Sequence, residues 1–156
     1  MKKYIFVFMM FSISYANASE CAKNETLIAS CSLSGKLSRI ATFCAKPKNG
    51  MIKYTYKNGM ETELVVDFDF ENRLKRWVDL ATYTTYLGFS RGEYSYILSI
   101  PEEKPGVVAQ LDVKKNNKII SSKQCDSNSF GDEGIKMNSI EDVSDDVVRD
   151  GGFKFP

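Results

Sequence analysis

The sequence has 156 residues, of which 43% are hydrophobic and 26% charged, a length and composition that suit one domain with an apolar core. It contains no histidine, which excludes Ser-His-Asp and Cys-His catalysis and every histidine-ligated metal or haem site. With 21 basic and 20 acidic side chains the formal net charge is +1. The chain therefore lacks the large excess of positive charge that is typical of nucleic-acid-binding proteins.

Residues 1–18 are typical of a cleaved secretory signal peptide. Two lysines precede an apolar stretch, residues 4–13, that is too short to span a bilayer. Ala16 and Ala18 fit the small-residue pattern at which a signal peptidase cuts. We therefore expect export to the periplasm as a single mature domain, residues 19–156, which has no apolar run of membrane length.

All four cysteines lie in the mature chain, where an oxidising compartment favours two disulfides. The Ser-Gly pair at residues 34–35 predicts a two-residue hairpin turn, which would hold Cys31 and Cys44 about 20 Å apart, beyond disulfide reach. Two pairings are then left, either Cys21–Cys44 with Cys31–Cys125 or Cys21–Cys31 with Cys44–Cys125. We favour the first slightly, because Cys21 precedes the hairpin and can fold back to Cys44.

From residue 26 to 125, short strand-like segments alternate with turn residues such as Asn58-Gly59 and Asn116-Asn117. Residues 71–80 fit either a strand or a helix, and we favour a strand or bent connector. No crossover helices are visible, so we predict six to eight antiparallel strands in a β-sandwich or small barrel. The strands are predicted over residues 26–33, 36–45, 51–57, 60–67, 94–100, 107–113 and 119–125.

Residues 126–156 form an acidic tail with eight acidic and three basic side chains. Its first part, residues 126–138, is rich in Ser, Asn, Asp and Gly and predicts a loop. Ser139, followed three residues later by Asp142, approximates a capping box and predicts a short C-terminal helix. The apolar face of this helix would carry Ile140, Val143 and Val147, and its acidic face Asp142, Asp145 and Asp146.

Three segments together resemble small exported β proteins of Proteobacteria. They are SC…GK…FC within residues 30–44, IKYTYKNG at residues 52–59 and FSRGEYSY at residues 89–96, followed by a final cysteine, Cys125. The resemblance covers about residues 27–125 and leaves the acidic tail outside. Its motifs are hairpin turns, alternating aromatic residues and cysteines, so it implies fold and compartment more than activity.

A second likeness is to periplasmic lysozyme inhibitors, whose β-sandwich presents a Ser-Gly-x-x-Tyr loop to the cleft of the enzyme. The nearest match is the segment from Ser90 to Tyr94, in which Arg91 intervenes between Ser and Gly. The same plan is similar to immunity proteins that protect a bacterium from its own secreted cell-wall-degrading toxin. The likeness to lysozyme inhibitors implies that Ser90 and Tyr94 are candidates for contact with a protein partner.

Other features also favour partner binding over catalysis. Arg and Tyr dominate binding hot spots, and an acidic helix would steer towards basic cell-wall hydrolases. No catalytic or metal-binding motif of known spacing occurs, so we predict no enzyme activity, no metal and no cofactor. The predicted partner-binding residues are Ser90, Arg91, Gly92, Glu93, Tyr94, Asp142, Asp145 and Asp146.

The sequence therefore predicts a periplasmic inhibitor or immunity protein that blocks a cell-wall-targeting enzyme, either a toxin effector or a lysozyme. The alternative is a module that binds an envelope glycan or lipopolysaccharide through exposed Tyr and Lys side chains. The identity of the enzyme, and whether the protein dimerises through an edge strand, stay open at this point.

Overall fold

The computed structural model describes residues 21–33, 38–102 and 107–156, and only the backbone of residues 127–130. The described part is mainly β, with two sheets, one short C-terminal helix and two disulfides, which confirms the predicted fold class. The elements are β1 (Thr26–Leu33), β2 (Arg39–Lys46), β3 (Met51–Asn58), β4 (Glu61–Phe68), β5 (Leu74–Asp79), β6 (Thr84–Arg91), β7 (Tyr94–Ile100), β8 (Gln110–Lys115), β9 (Lys118–Gln124), β10 (Ser127–Phe130), β11 (Ile140–Val143) and α1 (Asp145–Asp150).

The strands form two sheets that pack in a sandwich-like arrangement. The first sheet has the order β10-β1-β2-β3-β4 and is antiparallel throughout. The second has the order β11-β5-β6-β7-β8-β9 and is antiparallel except at one edge, where β11 runs parallel to β5. This one parallel pair departs from the fully antiparallel expectation. The predicted six to eight strands are also too few, because the described part of residues 26–125 holds nine, among them β6, which was not predicted.

Aromatic side chains from both sheets fill the space between them. Tyr54 of β3 packs against Phe43 of β2 and Phe89 of β6, with ring centroids 4.8 and 4.9 Å away. Phe89 also stacks on Tyr96 of β7 at 5.0 Å and meets the ring of Phe68 of β4 at 5.3 Å. Large rings at alternate positions of neighbouring strands therefore form the centre of the core.

Residue chemistry explains two of the hairpins. Asn116 and Asn117 both have positive φ, at 49° and 62°, as a two-residue type I′ turn requires, and they connect β8 to β9 as predicted. Between β3 and β4, Asn58 pairs with Glu61, so the turn residues are Gly59 and Met60. The hairpin is where the sequence predicts it, but its turn lies one residue later than Asn58-Gly59.

The connection between β1 and β2 differs from the prediction. Residues 34–35 lie outside the described part, as does the predicted signal peptide, residues 1–18. Leu33 nevertheless pairs with Arg39, which leaves five residues between the strands, so the register expected from a two-residue turn is wrong.

The two disulfides are Cys21–Cys44 and Cys31–Cys125, with Cα–Cα distances of 5.6 and 5.2 Å. This confirms the favoured pairing. The first bond joins the segment before β1 to β2, and the second joins β1 to the residue that follows β9. Every cysteine is therefore paired, as is typical of secreted or periplasmic proteins.

The ambiguous segment, residues 71–80, contains strand β5, which excludes its helical alternative. Leu74 faces the core between the sheets, whereas Trp77 lies in a second apolar cluster on the outer face of the second sheet. Because both faces of β5 are covered, its apolar residues do not alternate cleanly. That loss of alternation produced the helix-like spacing of Leu74, Trp77 and Val78.

Two predictions for the acidic tail are wrong. Strand β10 lies in the predicted loop, and strand β11 occupies the predicted first turn of the helix. The Cys31–Cys125 bond holds the chain beside β1, where the backbone N–H of Asp126 donates to Ser32 O at 2.7 Å and pairing continues. The helix α1 begins only after Ser144 and is six residues long.

The C-terminal segment covers the outer face of the second sheet. Phe155 and Val148 are buried there against Trp77, which stacks on Tyr86 with centroids 4.4 Å apart. The backbone oxygen of Phe155 accepts a hydrogen bond from Lys114 Nζ at 2.8 Å. The second sheet is therefore packed on both faces, with the main core on one side and the C-terminus on the other.

Candidate functional site

The predicted segment from Ser90 to Tyr94 forms the end of β6, a tight turn and the start of β7. Arg91 pairs with Tyr94, so Gly92 and Glu93 are the two turn residues. Gly92 has a φ of +60°, which favours glycine and is typical of the first position of a type II′ turn. The hydroxyls of Ser90 and Ser95 lie 2.9 Å apart across the two strands. The predicted loop is thus the rigid tip of a regular hairpin.

The neighbouring turn between β8 and β9 supports this tip. The backbone N–H of Asn116 donates to the Glu93 carbonyl at 3.0 Å. Lys115 places its ammonium 3.7 Å from the Glu93 carboxylate and 5.3 Å from the centre of the Tyr94 ring. Exposed contacts of this kind are individually weak, and together they favour this conformation of the tip.

We call these residues the turn surface: Arg91, Gly92, Glu93, Tyr94, Lys115 and Asn116. Arg91 is exposed, and Tyr94 retains 36% of its accessible surface. Two residues further along the same face of β7, Tyr96 is anchored in the core by its stacking on Phe89. The structure thus presents a cation and an aromatic ring at the end of a fixed β-hairpin.

Asp142, the first predicted acidic site residue, is held by an internal ion pair. Its carboxylate accepts hydrogen bonds from Arg76 Nε at 2.6 Å and Nη2 at 3.0 Å, and from Lys136 Nζ at 3.2 Å. The hydrogen bonds from Arg76 hold the pKa of Asp142 below its usual range, although partial burial opposes the shift. The Asp142 carboxylate therefore helps to hold β11 against β5.

The two acidic residues of α1 differ from each other. Asp145 accepts hydrogen bonds from Trp77 Nε1 at 2.9 Å and from Arg149 Nε at 2.7 Å. Arg149 also pairs with Asp79 at the end of β5. Asp146, by contrast, is exposed on the helix. Of the predicted acidic site residues, Asp142 and Asp145 are largely neutralised by neighbouring cations and Asp146 faces solvent.

The structure does not bring the turn surface and the helical acids together. β6 begins at Thr84, which pairs with Asp79 close to α1, and it ends at Arg91 on the turn surface. An eight-residue strand spans about 23 Å at the usual rise of 3.3 Å per residue. The two predicted groups therefore lie at opposite ends of β6.

A cavity of about 330 Å³ between the two sheets was not predicted from the sequence. The first sheet contributes Tyr54, Tyr56 and Leu64 to its wall, and the second contributes Tyr96, Leu111 and Val113. Period-two alternation places Tyr54 and Tyr56 on one face of β3. Which strands stand opposite them depends on how the sheets pack, and no local pattern contains that information.

The described residues hold one close group of metal-ligand side chains: Cys21, Cys44 and Glu25. The two sulfur atoms are bonded to each other, so neither can serve as a thiolate ligand. The group therefore offers a single carboxylate, which does not suffice for a metal centre.

No helix in the described part of the chain is long and apolar enough to cross a membrane. Comparisons with protein-family models, with curated proteins and with solved structures find no match to this chain.

Proposed function

We propose that the protein is a non-enzymatic periplasmic inhibitor or immunity protein that blocks a secreted cell-wall-targeting enzyme. The observation that carries this proposal is the turn surface, on which Arg91 and Tyr94 are exposed at the tip of a braced hairpin. The turn chemistry and the contacts of Lys115 and Asn116 hold that tip in place.

Three physical arguments support binding through this surface. The exposed turn of a hairpin can enter a concave partner, and the active-site cleft of an enzyme is concave. Arg and Tyr are enriched among residues that contribute most of the binding free energy. Since the hairpin is already ordered, association costs less conformational entropy than ordering a flexible loop would.

Two features support a periplasmic location. The disulfides suit an oxidising environment, and the predicted leader, residues 1–18, would deliver the chain to the periplasm. A cell-wall-targeting enzyme acts in that same space, so inhibitor and target would meet there.

The acidic residues have a smaller part in this proposal. Asp142 and Asp145 are paired with Arg76 and Arg149, so their charges are largely compensated inside the protein. The exposed Asp146 contributes to the overall negative charge of the tail, which would speed the approach of a basic enzyme without forming the contact.

The test begins with the oxidised mature chain, residues 19–156, as bait in lysate and secreted fractions of its own host. Mass spectrometry identifies the retained proteins, and each retained enzyme is assayed for cell-wall hydrolysis with and without the bait. Stoichiometric loss of hydrolysis supports the proposal. Retention of no hydrolase from the host, together with full activity of lysozymes from other organisms in the presence of the bait, would refute it. Binding on a glycan array would favour the glycan-binding alternative.

A double variant then locates the contact. Arg91→Ala with Tyr94→Ala is expected to weaken the complex by about 3 kcal/mol, roughly a hundredfold in Kd. The matched control is Lys48→Ala with Tyr83→Ala, which removes an exposed cation and an exposed ring from other turns. Equal affinities for the two double variants would remove the turn surface from the proposal.

A further inference from the structure

The cavity between the sheets has the features of a small-molecule site. Its volume of about 330 Å³ falls within the range of about 300–1,000 Å³ that is usual for ligand pockets. Its wall is mostly apolar and aromatic, with three tyrosines among the lining residues. Such walls bury the body of an organic molecule, and polar groups at a few points then select its chemistry.

The first of these polar groups is the Tyr54 hydroxyl. Tyr54 is 1% exposed, and its hydroxyl has no hydrogen-bond partner among the described residues. Burial raises the pKa of Tyr54 well above the usual value, with smaller contributions from Tyr56 and Tyr96, so the phenol stays neutral and can donate a proton to an acceptor. Tyr54, Tyr56 and Tyr96 all line the cavity, but the Tyr54 hydroxyl has almost no accessible surface, so a ligand reaches it only where the side chains that cover it move aside.

An unpartnered buried hydroxyl is costly to the folded protein. Proteins keep such groups mainly where they serve a function, since replacement by phenylalanine would remove the cost and preserve the ring packing. The core contacts of Tyr54 with Phe43 and Phe89 involve only its ring, so they do not require the oxygen.

The second polar feature is a pair of cations. The exposed side chains of Arg39 and Lys123 line the cavity, and neither forms an ion pair with another described residue. The single acid in the wall, Glu63, accepts a hydrogen bond from the Asn58 side chain at 2.7 Å. The solvent-facing part of the cavity therefore has an excess of positive charge that suits an anionic group.

We propose that this cavity binds an aromatic carboxylic acid that carries an oxygen acceptor at the end opposite the carboxylate. The carboxylate lies near Arg39 and Lys123, the ring packs among the tyrosines, and the distal oxygen accepts a hydrogen bond from the Tyr54 hydroxyl. This inference is independent of the proposed enzyme inhibition, because it uses none of the residues of the turn surface.

Two matched probes test the proposal by calorimetric titration of the oxidised protein. 6-Hydroxy-2-naphthoate has the distal oxygen, and 2-naphthoate lacks it. We expect the hydroxylated probe to bind about tenfold more tightly. In Tyr54→Phe the two probes should bind equally, whereas Tyr86→Phe, which removes a hydroxyl from the outer face of the second sheet, should preserve the difference.

The charge requirement has its own variant. Arg39→Gln with Lys123→Gln should weaken both probes by about tenfold or more and reduce the dependence of affinity on salt. Thermal unfolding provides a check on folding, because Tyr54→Phe should be at least as stable as the unmodified protein if its hydroxyl is unpartnered.

Three results would overturn the proposal. One is the absence of binding of either probe at about 1 mM. Another is a preference for the hydroxylated probe that survives in Tyr54→Phe. The last is binding that neither the Tyr54 nor the Arg39 and Lys123 variants change, which would place the probes elsewhere on the protein. None of these results depends on whether an enzyme is inhibited.

Discussion

Arg76 holds Asp142 with two parallel hydrogen bonds, from Nε to Oδ1 at 2.6 Å and from Nη2 to Oδ2 at 3.0 Å. The two residues lie opposite each other in the parallel pair of β5 and β11. The Arg76 side chain is 4% exposed and the Asp142 side chain 54% exposed, so a buried cation meets a half-exposed anion. This contact holds β11, the last strand of the chain, at the edge of the second sheet.

The remaining donors of Arg76 bind the connection between β10 and β11. Its Nη1 donates to the backbone oxygens of Glu133 and Ile135 at 2.7 and 2.9 Å. That connection carries the chain from the first sheet to the second. One guanidinium therefore joins β5, β11 and the crossing segment, which suits the planar fork of arginine and not the single ammonium of lysine.

We expect Arg76→Met to lower the free energy of unfolding by about 2–4 kcal/mol, because two partly buried carbonyl oxygens lose their donor and the Asp142 carboxylate keeps only that of Lys136. Arg76→Lys should recover only part of this loss. Urea unfolding followed by the fluorescence of Trp77, the single tryptophan of the sequence, measures both variants.

The matched control for Arg76 is Lys136→Met, since Lys136 contacts the same carboxylate but is 81% exposed. Its loss should cost less than about 0.5 kcal/mol. Equal costs at the two positions would show that the guanidinium does not hold the crossing segment.

The Arg76–Asp142 contact also predicts a pH dependence. The folded-state pKa of Asp142 lies below its unfolded value of 3.8, because the carboxylate accepts hydrogen bonds from Arg76 and Lys136. Its contribution to stability is therefore complete above about pH 5, where the unfolded carboxyl is also ionised, and is lost as the pH falls through the lowered folded-state value. The stability advantage of the unmodified protein over Asp142→Asn should shrink between about pH 5 and pH 2. A difference that stays constant over this range would contradict the assignment.

The two disulfides should differ in their effect on stability. Cys31–Cys125 closes a loop of 94 residues and Cys21–Cys44 a loop of 23. By loop entropy alone, replacing the first pair by Ala costs about 4.7 kcal/mol and the second about 3.4 kcal/mol. Loss of the longer bond should also weaken the pairing of β10 with β1, since the bond lies next to it. Hydrogen exchange at residues 127–130 measures that local effect, and unchanged protection there would argue against it.

The position of the C-terminal segment is testable at Gly88. A Cβ at Gly88 would lie 2.8 Å from Phe155 Cε1, so Gly88→Ala should cost about 1–2 kcal/mol by overpacking. Phe155→Ala removes the obstacle, and the two substitutions together should cost less than the sum of their separate effects. Thermal unfolding of the single and double variants measures this coupling.

Gly92→Ala is the control for that cycle. Its Cβ would meet nothing within 4 Å, and its cost of about 1 kcal/mol would come from the positive φ of 60°. This cost should add to that of Phe155→Ala. If the costs of Gly88→Ala and Phe155→Ala were also additive, Phe155 would not cover β6.

Local chemistry was sufficient to predict the hairpin between β8 and β9. The pair Asn116-Asn117 tolerates positive φ at both turn positions, and the segments on either side have strand-forming composition. The exact position of a turn was predicted less accurately, because the turn between β3 and β4 lies at Gly59 and Met60, one residue later than expected. The side chain of Asn58 bonds to Glu63 beside a bulge between β3 and β4, and turn propensity alone contains no information about that contact.

The sequence by itself determined the class of fold and the places of the β3–β4 and β8–β9 hairpins, because each depends on residues close together in the chain. Only the tertiary structure decided the disulfide pairing, the pairing of β10 with β1 and of β11 with β5, and the burial of Arg76. It also decided that Tyr94 and Asp145 lie at opposite ends of β6 and that Tyr54 faces a cavity. These features depend on which strands pair at the sheet edges and on which segments cover the sheet faces. Contacts between residues that are far apart in the chain determine both.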